Sequence, residues 1–110
     1  MAMQDWIHFY ILDGHTPILV ADGLTWGRWF ETADRHVAWT QVGDVHVSTI
    51  FLGLDHNYGW EGPPLLYETL VFGGALADAQ ARYATWEDAE HGHAAIVAAV
   101  RAALDAERLP

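Results

Sequence analysis

Apolar and polar residues alternate through "WIHFYIL" and again through "TPILV", and the two runs are separated by Asp13-Gly14. A period of two puts every second side chain on one face of a strand, and turn residues between two such runs predict a β-hairpin. Pro17 stands at the head of the second run, where a missing N–H is tolerated. In "ADGLTWGRWFETAD" the period lengthens. Leu24, Trp26, Trp29 and Phe30 then share a broad helical face, Asp22 is the N-cap, and Gly27 weakens the helix by about 1 kcal/mol relative to Ala.

Alternation returns in "RHVAWTQVGDVHVSTIFLGL". A two-residue primed turn at Gly43-Asp44 pairs Val42 with Val45, Thr40 with Val47 and Val37 with Ile50, and sets His36 opposite Phe51 and His46 opposite Gln41. "PPLLYETLVFGG" predicts a further strand ended by Gly73-Gly74, with a short strand over residues 79–84 returning beside it. The last element is a helix: Thr85 caps it with Asp88 three residues on, and Ala89, His93, Ile96, Val97, Val100 and Leu104 form its apolar stripe. Hairpin links dominate and no βαβ repeat occurs. The order therefore predicts one α+β domain over residues 1–110, with a curved antiparallel sheet of about five or six strands. The C-terminal helix packs on one face of it, and a shorter helix follows the first hairpin.

Composition narrows the function. A chain of 110 residues, 52% hydrophobic, is long enough for one core without crosslinks. Having no Cys, it can form neither disulfides nor Cys-type zinc sites. Asp5 stands where a secretory signal would carry a base, and "AAIVAAV" falls far short of the ~20 apolar residues of a membrane span. The expectation is a soluble protein without membrane contact, compatible with a reducing cytoplasm. Fifteen acids against five bases give a formal charge of −10. Phosphate backbones bind through Lys and Arg, so this field opposes direct nucleic-acid binding.

Three features carry candidate chemistry. The first is "GLDHNYGWEG", which sets Asp55, His56 and Asn57 after an apolar run. An Asp-His step at a strand end is shared with metal-dependent nucleases, but those need further ligands on one helix face. His91 and His93, two residues apart, point nearly opposite ways. The alternative is a structured corner, with Asp55 and Asn57 bonding nearby N–H groups, while Tyr58 and Trp60 cap the sheet end or form an aromatic contact. The second is a buried polar pair: alternation places Glu68 with Leu66, Leu70 and Phe72, and His93 lies within the helix stripe. If those faces meet, a carboxylate and an imidazole share the interior, as a general base with its orienting acid or as a structural pair. The third is acidic: Asp55, Glu61, Asp78, Glu87, Asp88 and Glu90 could form a negative surface that imitates DNA phosphates. His8, His15, His36 and His46 show no ligand spacing, and no metal or cofactor is expected.

The segments "VGDVHVSTIFLGLDHNYG", "GPPLLYETLVFGG" and "RYATWEDAEHGHAAIV", over half the chain, together resemble a family of small, mostly uncharacterised proteins encoded by bacteriophages and prophages. "WGRWFE" and "LDGHTP" match more loosely. The resemblance carries over no catalytic residue. By gene type it implies proteins that bind and block host machinery, including CRISPR effectors, restriction enzymes and polymerases. The leading expectation is accordingly a non-enzymatic protein that binds a basic host protein or complex through the six acids, with Tyr58 and Trp60 as anchors. A small hydrolase or metal-dependent enzyme using His56, Glu68 or His93 is one alternative, and a phage assembly component with exposed apolar patches is another. The oligomeric state is left open.

Overall fold

The structure, a computed structural model, describes residues 8–57 and 61–108. Eight elements follow in order: β1 (Phe9–Asp13), β2 (Thr16–Val20), α1 (Gly23–Thr32), β3 (His36–Val42), β4 (Val45–Phe51), β5 (Tyr67–Phe72), β6 (Gln80–Tyr83) and α2 (Trp86–Glu107). The fold is α+β. Among the described residues the six strands divide into a β1-β2 hairpin and a four-stranded antiparallel meander, β3-β4-β5-β6. The two sheets are tied at Phe9 and Leu54, and the Tyr10 N–H donates to the Gly53 carbonyl at 2.8 Å.

Both hairpins turn on a glycine. Gly14 and Gly43 have φ of 60° and 59°, while the residues after them do not have positive φ. This is the pattern of a type II′ turn, whose twist matches that of the strands it joins. The turn at Gly43 sets the expected pairs, Val42 with Val45, Thr40 with Val47 and Gln41 with His46. The register then shifts between His36 and Ala38, so His36 lies opposite Ile50 and not Phe51. The cause is a bulge: one extra residue in β3 lets Val37 pack into the core while His36 stays exposed.

Burial in β4 alternates strictly, with Val45, Val47, Thr49 and Phe51 buried. Those residues pair with Thr40 and Val42 on one side and with Tyr67, Thr69 and Val71 on the other, and α2 packs across the face they share. Two apolar clusters result. Val45, Val47, Val71 and Val100 lie beneath the C-terminal half of α2, and Phe51, Leu66, Tyr67 and Ala89 beneath its start. The first hairpin and α1 close the second cluster through Tyr10, Leu12 and Trp29, the Trp29 ring standing edge-on to Phe51 at 5.9 Å. Asp22 caps α1 as its sequence suggests, accepting from the Leu24 N–H at 3.0 Å. Leu24 departs from the expected apolar face. It sits in the first turn and is 62% exposed, so Trp26, Trp29 and Phe30 alone form the inward face.

Helix α2 begins at the expected cap, with the Thr85 hydroxyl accepting from the Asp88 N–H at 3.0 Å. Ala89, His93 and Val100 are its buried residues. Gly92 explains how closely the helix approaches β6, since a Cβ there would overlap the Tyr83 ring. The spacing of α2 thus carries His93 onto the sheet between the two clusters.

Candidate functional site

His93 is buried, and both of its ring nitrogens are engaged. Nδ1 lies 2.7 Å from the Thr49 hydroxyl and Nε2 lies 2.8 Å from the Thr40 hydroxyl. The Thr49 hydroxyl also bonds that of Thr69, so three strands are linked to the helix through one ring. A neutral imidazole donates at one nitrogen and accepts at the other, which suits a chain of hydroxyls that can each do both. Burial alone pushes the His93 pKa below the ordinary value of 6.5. With no ring nitrogen left for a substrate, this chain locks the helix onto the sheet. The sequence signal for it was present: Thr40, Thr49 and Thr69 occupy positions on the valine-rich face, where a hydroxyl needs a partner.

The expected Glu68–His93 pair does not form. Both residues are buried, but strand alternation puts Glu68 on the face opposite Thr69, whose hydroxyl joins the histidine chain. Glu68 instead accepts from Arg82 Nε at 2.8 Å, across the β5-β6 register. The Nδ1 of His56 lies 2.9 Å from the Leu54 carbonyl. The three residues of the hydrolase reading are therefore held by different partners, two of them on opposite sides of a sheet.

The Asp-His-Asn stretch builds a corner. Asp55 Oδ1 accepts from the N–H groups of Asn57 at 2.8 Å and Leu65 at 3.0 Å, stapling the two ends of the loop. The side-chain amide of Asn57 donates to the Pro63 carbonyl at 2.9 Å, and the His56 N–H donates to the Leu65 carbonyl. These side chains substitute for ladder hydrogen bonds where two strands diverge. Tyr58 and Trp60 lie outside the described residues.

The six acids do not share one surface. Glu87, Asp88 and Glu90 are exposed on the first turns of α2, and exposed Glu61 lies in the loop that enters β5 at the same end of the sheet. Asp78 follows the far end of β5, which is six residues or about 20 Å away. It holds a left-handed conformation, φ 68°, and its N–H donates to the Val71 carbonyl. Its place is set by a turn, and that of Asp55 by the corner. Glu87 also acts inward: burial, with its carboxylate nearby, pushes the Tyr67 hydroxyl up to about 12.

The other face of the four-stranded sheet carries a feature that pattern reading missed. Trp39 and Phe72 point away from α2, and each is 52% exposed. The signal lay in the register, since both stand at positions where alternation puts polar residues. Among the described residues no group of three or more His, Asp or Glu side chains could hold a metal ion, and no helix is long and apolar enough to cross a membrane. Comparison of the chain with protein-family models, with curated proteins and with solved structures gave no match.

Proposed function

We propose that this chain acts by binding a protein with a basic surface, through Glu61, Glu87, Asp88 and Glu90, without turning over a substrate. The observation supporting this is a group of unpaired acids. These four carboxylates are exposed at one end of the molecule, where Arg82 is already paired with Glu68, and the Arg108–Asp105 pair lies at the far end of α2. In a chain of net charge −10, such an end steers toward cationic grooves and away from polynucleotides. The resemblance to phage and prophage proteins suggests the partner class. It is a host nucleic-acid-handling complex in the cytoplasm, such as a CRISPR effector, whose DNA groove the acidic end occupies. Asp55 and Asp78 drop out of the binding set, because their positions answer to the corner and to the turn.

Affinity capture from a host lysate, with the wild-type chain and with a Glu61→Lys, Glu87→Lys, Glu90→Lys variant, tests this reading. Asp88 is left in place so that one carboxylate still faces the positive end of the α2 dipole. The expected result is a partner with a basic surface that the wild type retains at low salt and loses at high salt, and that the variant fails to retain. Recovery of the same proteins by both chains, independent of salt, overturns it.

A further inference from the structure

Among the described residues three strand edges have no neighbour in a sheet, those of β2, β3 and β6, since His8 and the far edge of β1 bond Asp55 and Gly53. Main-chain N–H and C=O groups on such an edge pair with a strand from another chain unless the edge is blunted. Which groups point outward follows from the ladder. The Val71 N–H donates to the Ala79 carbonyl at 3.1 Å, so the bonded pairs of β5 and β6 recur at Ala79, Ala81 and Tyr83. Gln80 and Arg82 therefore turn their main-chain groups away from the sheet.

Chemistry separates the three edges. The Gly14 turn pairs Asp13 with Thr16, so the free edge of β2 carries Pro17, which has no N–H to offer. The Val42 end of β3 lies beside a hollow lined by Arg101, Asp105 and Arg108. Asp105 pairs with Arg108, and Arg101 is left to repel a base. The β6 edge differs from both. Its own base, Arg82, is turned back over β5 to Glu68 at 2.8 Å. Gly92 lies directly over the Tyr83 ring, and Asp88, one turn earlier on the same flank of α2, brings an exposed carboxylate to the Tyr83 end of the edge. Asp78, whose place the turn sets, leaves a second exposed carboxylate at the Gln80 end.

We propose that the β6 edge takes an extended basic segment of the partner as an added antiparallel strand, an inference that rests on the reading of the acidic end as a binding site for a basic protein. The added residues opposite Gln80 and Arg82 bond the edge through their main chain. The residue opposite Tyr83 shares its face and carries a base toward Asp88. The edge offers the N–H and C=O groups of Gln80 and Arg82 and no more, so alone it binds weakly. The carboxylates at either end select a basic segment over a neutral one. A footprint of one short strand belongs to the weak, transient class of contacts.

The probe is a capped heptapeptide of alternating lysine and valine, added to the isotope-labelled full chain at low salt and followed by nuclear magnetic resonance. Binding is expected to slow amide exchange with solvent at Gln80 and Arg82 by about tenfold or more, with little change at Trp39 and Gln41 in β3. The same peptide N-methylated at its valines keeps every charge but cannot pair, and is expected to bind about tenfold more weakly. Gln80→Pro removes an outward N–H without breaking a ladder bond. It is expected to lower the affinity for the unmodified peptide by a similar factor and to leave the circular dichroism spectrum unchanged. Equal binding of the two peptides, or unchanged exchange at Gln80 and Arg82 in the bound chain, overturns the added strand and leaves the acidic end standing. If neither peptide binds, the added strand is overturned as well, and the lysate capture decides the acidic end by itself.

Discussion

Each face of the four-stranded sheet carries exceptions to the usual arrangement of apolar inside and polar outside. The face under α2 encloses three threonine hydroxyls and an imidazole, while the uncovered face shows solvent an indole and a phenyl ring. The difference teaches that burial does not follow polarity alone. Thr40, Thr49, Thr69 and His93 are tolerated inside because each hydroxyl and each nitrogen has a partner, so little hydrogen bonding is lost on leaving water. Trp39 and Phe72 have no such compensation. Apolar surface left in water is a cost that only a covering partner removes.

The sharpest way to break the comparison is to delete the same side chain on each face. Phe51 is fully buried between Tyr67 and Trp29. Phe51→Ala should lower the unfolding free energy in urea by about 3–5 kcal/mol, from lost transfer energy plus the cavity left behind. Phe72→Ala, on a half-exposed ring, should change it by less than about 1 kcal/mol. Similar losses at both sites would mean that the open face is covered within the monomer.

A smaller effect tests the polar chain. Thr49→Val keeps the shape but removes the central hydroxyl, leaving His93 Nδ1 and the Thr69 hydroxyl short of a partner. The expected cost in urea unfolding is about 1–3 kcal/mol. Adding His93→Leu removes the stranded nitrogen as well. The double variant should therefore lose less than the sum of the two single losses, because the groups act as one unit. Strict additivity would show that the ring and the hydroxyls contribute separately.

What could be read from the sequence divides along the same line. Elements set by local pattern are where expected: both hairpins, the Asp22 and Thr85 caps and the α2 stripe all follow from spacing within a few residues. Features that depend on how strands meet were harder to see. The bulge near Val37 moves His36 by one rung, and no residue in "RHVAW" announces it. Alternation puts Glu68 on one face of its strand with Leu70 and Phe72, and that face is the one α2 leaves open. Nothing in a strand's period says which side a helix will cover. The acids divide for a similar reason: Glu61 and Asp78 flank β5 in sequence, and a strand sends its two flanks to opposite ends of the sheet.

The smallest effect is the dependence of stability on acid. His93 is neutral in the fold because burial disfavours its charged form, and its hydrogen-bond partners are neutral threonines, which offer an imidazolium no counter-charge. The unfolded chain binds a proton at this residue near pH 6.5, whereas the folded chain binds it only at lower pH. Stability from this site is therefore complete above pH 6.5 and declines as pH falls below it, through the window down to the folded-state value. Asp22 and Asp34, whose hydrogen bonds hold their carboxyls below the ordinary value, add their own dependence at lower pH, so the informative quantity is a difference between chains. The Thr49→Val, His93→Leu variant, followed by thermal melting across the same range, should lack the part of the decline that begins just below pH 6.5. A melting curve that falls with acid equally in both chains would assign the loss to the surface. The covered face would then be as insensitive to protons as a wholly apolar one.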